Sequence, residues 1–253
     1  MTQNKPPTEQ DRIEDYETAY IADFGFEAEM VHYRQRLVCD FLFGTTPKTV
    51  LEIGCGDDLL AKRYADAGGT WERWTIVEPA EAFSKAALAS GLPGLDVRTG
   101  FFEDVAGTLG APVDAVICSG LLHEVPDAEK LCRAIAGVMG RDTVLHVNVP
   151  NATSMHRRLA QAMGLIEDLK TLSARNQTLR QPRVFDCDSL RELLVGCGLR
   201  ITGEGGHLVK PFTHQQMADC AGPLGRIVLD GLYELGKREP SWASEIWAES
   251  KRP

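Results

Sequence analysis

The stretch Val50-Leu51-Glu52-Ile53-Gly54-Cys55-Gly56 limits what this chain can fold into more than any other. A β-branched and aliphatic run that ends in two glycines reads as a buried strand entering a tight turn. Glycine at 54 and 56 frees the backbone to take unusual dihedrals and to approach a ligand closely, because no Cβ intervenes. Beyond the turn, Leu59-Leu60-Ala61 and Tyr64-Ala65 recur at helical spacing, so the unit is strand, glycine turn, helix. Turns of this kind at the edge of a parallel sheet are where nucleotides bind.

Two details narrow the ligand. A dinucleotide fingerprint needs Gly-X-Gly-X-X-Gly, whereas the sixth position counted from Gly54 is Leu59. A pyrophosphate would meet that side chain and be repelled by Asp57 and Asp58. A cationic ligand has no such difficulty, and Glu52, in the strand before the turn, suits an ammonium. A second apolar strand, Trp74-Thr75-Ile76-Val77, ends at Glu78, where an acid can accept both hydroxyls of a ribose.

This order resembles the class I S-adenosylmethionine-dependent methyltransferases, whose first motif is Glu/Asp-X-Gly-X-Gly-X-Gly. Glu52, Gly54 and Gly56 match it, and Asp58 stands where the third glycine would be. The resemblance covers roughly residues 48 to 150. It implies S-adenosylmethionine as cofactor, held by Glu52, Gly54, Gly56 and Glu78. It also implies that the adenine is bordered after the third strand, where Phe101 replaces the usual acid and Phe102 and Glu103 become the candidates. Ser119 and Gly120, after the fourth strand, would let the methionine part of the cofactor pass the backbone. The runs Val149-Pro-Asn-Ala-Thr-Ser-Met-His-Arg, Met163-Gly-Leu-Ile, Arg183-Val-Phe-Asp and Lys210-Pro look like a subset found with bacterial surface-polysaccharide and modified-sugar pathways.

At 253 residues the chain has room for one α/β domain with extra helices. A formal charge of -9 argues against wrapping nucleic acid through its phosphates. Seven scattered cysteines without a Cys-X-X-Cys read as reduced thiols of a cytoplasmic protein rather than a disulfide framework. The amino terminus has no apolar signal core, and no segment approaches membrane-spanning length.

Taken in order, the spacing predicts two helices over residues 11–43, broken near Asp23-Phe24-Gly25-Phe26. Tyr16, Ala19 and Tyr20 form one apolar face; Met30, Tyr33, Leu37 and Phe41 form the other. The strand at the glycine turn and strands near 73–78, 95–99, 113–118 and 143–149 alternate with helices at 59–67, 81–90, 103–109 and 127–138. A helix at 187–197 and strands at 199–203 and 206–210 complete the expectation. The fold class is therefore α/β, a doubly wound, mostly parallel, seven-stranded Rossmann-like sheet. An N-terminal helical cap (1–46) precedes a methyltransferase domain (47–253) with a helical insertion after the fifth strand, at about 151–183.

His123, in Ser119-Gly120-Leu121-Leu122-His123-Glu124-Val125-Pro126, sits at the carboxyl end of the sheet. A neutral imidazole there can take the proton of an attacking hydroxyl or amine, or it can cap the turn. The six histidines show no metal-ligand spacing, so no metal is expected. The insertion holds Arg157, Arg158, Lys170, Arg175, Arg180 and Arg183 against Glu167 and Asp168, a balance of +4 that leaves -13 for the remainder. A basic island in an acidic chain can focus charge on an anionic substrate. Tyr33, Asn148, Asn151, His156, Arg157 and Lys210 are the candidate substrate contacts.

The leading expectation is methyl transfer from S-adenosylmethionine to oxygen or nitrogen of a small anionic acceptor, such as a nucleotide-linked or phosphorylated sugar. The partners would be small molecules, with no nucleic acid and no membrane. A nicotinamide-dependent oxidoreductase keeps the sheet and Glu78 but needs the missing glycine, and a cofactor-binding protein without catalysis is the third reading. Acceptor and oligomeric state are left open.

Overall fold

In the computed structural model, residues 25–253 are described; the apolar face at Tyr16, Ala19 and Tyr20 lies outside them. Their centre is one seven-stranded sheet. β1 (Thr49–Ile53), β2 (Arg73–Glu78), β3 (Leu95–Thr99), β4 (Ala115–Ser119) and β5 (Val144–Pro150) are followed by β6 (Arg200–His207) and β7 (Glu245–Lys251). The spatial order is β3-β2-β1-β4-β5-β7-β6. The first five strands run parallel, and β7 is antiparallel to both β5 and β6.

Side-chain alternation along β1 explains why helices cover both faces. Leu51 and Ile53 join Val77, Val116 and Cys118 on one face, beneath α5 (Ala128–Val138) and α8 (Cys187–Gly196). Val50 joins Trp74, Ile76, Ala115 and Ile117 on the other, beneath α1 (Glu27–Thr45) and α2 (Leu60–Asp66). Between β2 and β4 the chain adds α3 (Glu81–Ala89) and the single turn α4 (Phe102–Val105). No helix among the described residues is long and apolar enough to cross a membrane, and all seven cysteines are free thiols.

Three features depart from the expectation. β6 is one strand, not two: it pairs with β7 from Arg200 to His207, with a bulge between Ile201 and Gly203, and Trp247 of β7 lies over Gly203 and Gly205. β7 itself was not foreseen. Nor was α9 (His214–Arg238), which opens on a capping box at Thr213 and kinks at Gly225 (φ 70°), just after Pro223. Leu229, Tyr233 and Met217 of α9 pack on Phe26, Met30 and Tyr33, so this late helix clamps the start of α1.

The insertion folds as α6 (Met155–Ala162) and α7 (Ala174–Thr178). It is closed at its base by the Ala152 amide donating to the Phe185 carbonyl at 2.7 Å.

Candidate functional site

β1 stops at Gly54 because the chain there turns to φ 75°, and Gly56 follows at φ 60°. Both values favour glycine. The Gly54 amide still reaches the Val77 carbonyl at 2.9 Å, which holds the turn against β2. A side chain added at Gly56 would meet nothing within 4 Å: the turn opens onto a cavity.

That cavity has a volume of about 550 Å³, within the range of small-molecule sites. Its floor is the carboxyl edge of the sheet, and α1, α7 and the loop before α9 form its walls.

At the glycine end the lining is acidic. Glu78 accepts the amides of Cys55 (2.9 Å) and Gly56 (3.4 Å) on one oxygen and the Ala80 amide (2.8 Å) on the other. Burial raises its pKa against the opposing effect of those amides. Glu52 is buried and accepts the Trp74 indole N–H at 2.8 Å; burial, with Glu78 adding to it, pushes its carboxyl up to about 8. Burial raises Asp57 as well. Acids held partly against their will by burial gain from a cation beside them. A sulfonium or ammonium group therefore fits this end, and a pyrophosphate does not.

At the far end the lining is mixed and mostly cationic. Arg34 donates from Nε to both Glu245 oxygens (3.1 and 3.0 Å) and from Nη2 to Glu27 (3.2 Å). Burial alone would raise Glu27, but the His214 hydrogen bond, Arg34 and Arg175 outweigh it and hold the carboxyl well below its usual range. Glu245 is treated the same way: burial opposes ionisation, and Arg34 overcomes it. Lys210, 3% exposed, donates to His214 Nδ1 at 2.7 Å.

Between the two ends sit His123 and Glu124. Gln181 Nε2 lies 3.3 Å from His123 Nε2 and donates to Glu124 Oε1 at 3.1 Å. The Gln181 carbonyl accepts from Asn176, which fixes the amide's orientation. His123 Nε2 is thus the acceptor and Nδ1 carries the proton, in a buried position without a hydrogen-bond partner. Burial, helped by Arg34, lowers His123 to about 4, so the ring is neutral. Burial raises Glu124 to about 7.

Of the residues named from sequence, Glu52, Gly54, Gly56, Glu78, Phe102, Glu103, Ser119, Gly120 and His123 all line the cavity. Asn151, His156, Arg157 and Lys210 line it too. Tyr33 and Asn148 do not, and both readings need correction. Tyr33 is fully buried, stacks on Tyr233 with ring centres 5.2 Å apart, and donates its hydroxyl to Asp230. Asn148 is buried in β5 and donates to Glu245 at 3.0 Å, so it reaches the site only through that carboxylate.

Two others line the cavity while serving the fold. The Asn151 amide donates to the Ala243 carbonyl (2.8 Å) and accepts from Thr153 (2.9 Å), closing a turn. Arg157 donates to the Leu169 carbonyl at 2.8 Å and to the Thr171 carbonyl, tying the insertion to itself.

Sequence reasoning missed Glu27, Arg34, Gln35, Gln181, His214 and Glu245 in the lining; Arg175, named only as part of the basic island, lines it too. One signal was present: Glu27, Arg34 and Gln35 share a helical stripe with Met30, Val31 and Val38, and polar groups within an apolar stripe mark a wet face. Among the described residues no group of three or more His, Cys, Asp or Glu is placed to hold a metal ion.

Comparison with known proteins agrees with this geometry. The methyltransferase-domain family matches residues 28–204, more than half of the chain. A ubiquinone biosynthesis O-methyltransferase of Chromobacterium violaceum is 37% identical over 91 residues, 34% of this chain and 38% of that protein. The one from Xanthomonas oryzae pv. oryzae is 32% identical over 107 residues, 41% of this chain and 44% of that protein. The chain thus spans about two fifths of the length of these curated relatives. Among solved structures, the plantazolicin methyltransferase bound to S-adenosylhomocysteine superposes with a TM-score of 0.62 at 14% identity, covering 96% of each chain. The 1,6-didemethyltoxoflavin-N1-methyltransferase of Burkholderia thailandensis gives 0.60 at 15% identity, covering 99% of this chain and 93% of its own. With its glycine turn, acidic β2 end and cavity in place, the chain belongs to the methyltransferase-domain family.

Proposed function

We propose that this enzyme methylates an oxygen or nitrogen of a small anionic acceptor, with a nucleotide-linked or phosphorylated sugar as the acceptor class. The observation that carries the reading is the polarity of one continuous cavity, acidic around the glycine turn and cationic around Lys210, Arg175 and Arg157. The charged ends suit two ligands of opposite sign laid end to end.

When bound, S-adenosylmethionine supplies a methyl group on a positively charged sulfur, reactive toward any well-aligned nucleophile. Glu78, already ordered by three amides, has the acceptor capacity left for ribose hydroxyls. Glu52 and Asp57 favour the cationic part, Phe102 and Glu103 border the adenine, and Ser119 and Gly120, with the Arg34 guanidinium 3.6 Å from where a Gly120 Cβ would lie, border the methionine arm. Alignment is the main requirement for such a reaction.

The acceptor's proton goes to the loop after β4. His123 is neutral, but its Nε2 lone pair is engaged by Gln181, which also holds Glu124, so it suits positioning the loop that borders the acceptor rather than taking the proton. Glu124, raised to about 7, is matched to accept a proton near neutrality.

Calorimetric titration with S-adenosylhomocysteine and with NAD, followed by transfer of a labelled methyl group to a panel of acceptors, tests the reading. It expects one bound S-adenosylhomocysteine, no NAD, and label on phosphorylated or nucleotide-linked sugars. Label only on neutral phenols would overturn the acceptor class; NAD binding in place of S-adenosylhomocysteine would overturn the reaction.

A further inference from the structure

The cationic end of the cavity contains an ammonium whose surroundings call for a partner. Lys210 follows β6, is 3% exposed and lines the cavity. A buried lysine normally gives up its proton or is paired. Among the described residues its hydrogen-bond partner is His214 Nδ1, at 2.7 Å. That ring is itself oriented from behind, since His214 Nε2 lies 3.0 Å from the Glu27 carboxylate. Glu27 accepts the Nε2 proton, which leaves Nδ1 as a lone pair for the lysine. Burial lowers the His214 pKa, consistent with a neutral ring.

Glu27, His214 and Lys210 therefore form a chain that aims an ammonium and uses one of its three donors. The groups around it are Arg157 and His156 of α6, Arg175 of α7, His214 of α9, Glu27 of α1 and Glu245 of β7. His156 is neutral: burial, Lys210 and Arg157 lower it to about 2, and its Nδ1 lies 3.1 Å from the Ser154 hydroxyl. The cations approach from separate elements, not as one planar fork. A carboxylate suits a single bidentate arginine; a tetrahedral anion with several oxygens suits donors converging from several directions.

We infer that Lys210 anchors a phosphoryl-binding subsite, in which the ammonium oriented by His214 and Glu27 holds a phosphate oxygen of the acceptor. The inference rests on the methyl-transfer reading for its purpose, and on the lysine's environment for its chemistry. It makes Lys210 a binding residue at a distance from the glycine turn, and His214 the residue that positions it.

Charge coupling gives the subsite a signature. Burial, with Arg175 and Arg157 against Glu27 and Glu245, lowers Lys210 to about 8. A bound oxyanion favours the ammonium and raises that value, so binding near pH 8 takes up a proton.

The test is calorimetry on the full chain with inorganic phosphate, pyrophosphate and acetate, with and without saturating S-adenosylhomocysteine. Wild type should bind pyrophosphate or phosphate in preference to acetate, alongside S-adenosylhomocysteine. Titrations at pH 8 in two buffers of different ionisation enthalpy should show net proton uptake, and affinity should fall between pH 7 and 9.5. Lys210→Met should weaken binding about tenfold or more, Lys210→Arg less, with S-adenosylhomocysteine affinity unchanged. Phosphate binding that competes with S-adenosylhomocysteine, equal affinity for acetate, or no proton uptake would overturn the subsite. Those wild-type measurements decide the matter even if Lys210→Met does not fold. Failure of S-adenosylhomocysteine to bind while phosphate binds would overturn the methyl-transfer reading and leave the subsite standing.

Discussion

The Cys55 amide donates to Glu78 Oε2 at 2.9 Å, which fastens the glycine turn after β1 to the last residue of β2. One carboxylate thus both shapes the turn and presents itself to the cavity that the turn borders. Glu78→Ala should lose the proposed ribose contact and release the Cys55, Gly56 and Ala80 amides together. S-adenosylhomocysteine affinity should fall by ~1.5–3 kcal/mol, as for a hydrogen bond to a charged group, and the melting temperature should fall too. Calorimetry showing unchanged affinity would remove Glu78 from the cofactor site.

Glu52 makes stability depend on pH with a definite sign. Its carboxyl ionises near 4.5 when unfolded and is held up to about 8 when folded, by burial and then by Glu78. A raised folded value means stability that is complete below the unfolded pKa and is lost as pH rises through the folded one. Glu52→Gln keeps an oxygen for the Trp74 indole and removes the ionisation. Wild type should therefore lose stability relative to Glu52→Gln as pH rises from 5 to 8. Urea unfolding at both ends of that window measures the gap, and a constant gap would show that Glu52 is ionised inside the fold.

His123 should be a neutral ring protonated at Nδ1 throughout the physiological range. Nitrogen-15 histidine spectra should show that tautomer at pH 7 and no protonation down to pH 5, since burial lowers its pKa to about 4. Gln181→Leu should release Nε2 and mix the tautomers. In turnover, Glu124→Gln should lower kcat about 10²–10⁴-fold, the usual worth of a general base, while His123→Ala should act mainly on the acceptor's KM. The reverse pattern would assign the base to His123.

The parts of this molecule that were legible in sequence are those where one local rule decides. β1, β2 and β4 are apolar runs buried on both faces, as parallel strands must be, and Gly54 and Gly56 mark a turn that only small residues tolerate. β7 was hidden because Glu245-Ile-Trp-Ala-Glu-Ser-Lys251 mixes a buried acid and a half-buried one with apolar residues; Glu245 is acceptable inside only because Arg34 and Asn148 meet it. That pairing spans most of the chain and has no local signature. α9 was obscured by Gly222, Pro223 and Gly225 near its middle. The acidic end of the cavity comes from consecutive strand ends and was readable. The cationic end was readable in part, at His156, Arg157 and Lys210; what α1, β7 and the start of α9 add to it was not.

Arg157 should matter to the insertion before it matters to any ligand. Its guanidinium holds the Leu169 and Thr171 carbonyls, and those bonds join α6 to the segment leading to α7. Arg157→Ala should speed amide hydrogen exchange across residues 165–173 and leave the sheet's protection unchanged, because local openings follow local bonding. An effect on phosphate affinity should appear only alongside that loosening, and it should shrink as salt rises. Unaltered exchange with lost phosphate affinity would make Arg157 a direct ligand.

Tyr33 gives the sharpest separation of packing from binding. Its position on α1, one residue before Arg34, places it on the face that meets α9, where it stacks on Tyr233 and bonds Asp230 and Arg226. Tyr33→Phe keeps the ring and removes the hydroxyl's bonds to Asp230 and Arg226, so it should cost about 0.5–1.5 kcal/mol. Tyr33→Ala leaves a ring-sized void between two helices and should cost about 3–5 kcal/mol. Neither should alter S-adenosylhomocysteine affinity in the protein that remains folded, since the side chain does not reach the cavity. Denaturant unfolding and calorimetry on both variants measure the two quantities independently. A Tyr33→Phe protein of normal stability that no longer saturates with its acceptor would put the hydroxyl back in the site and the α1–α9 seam out of it.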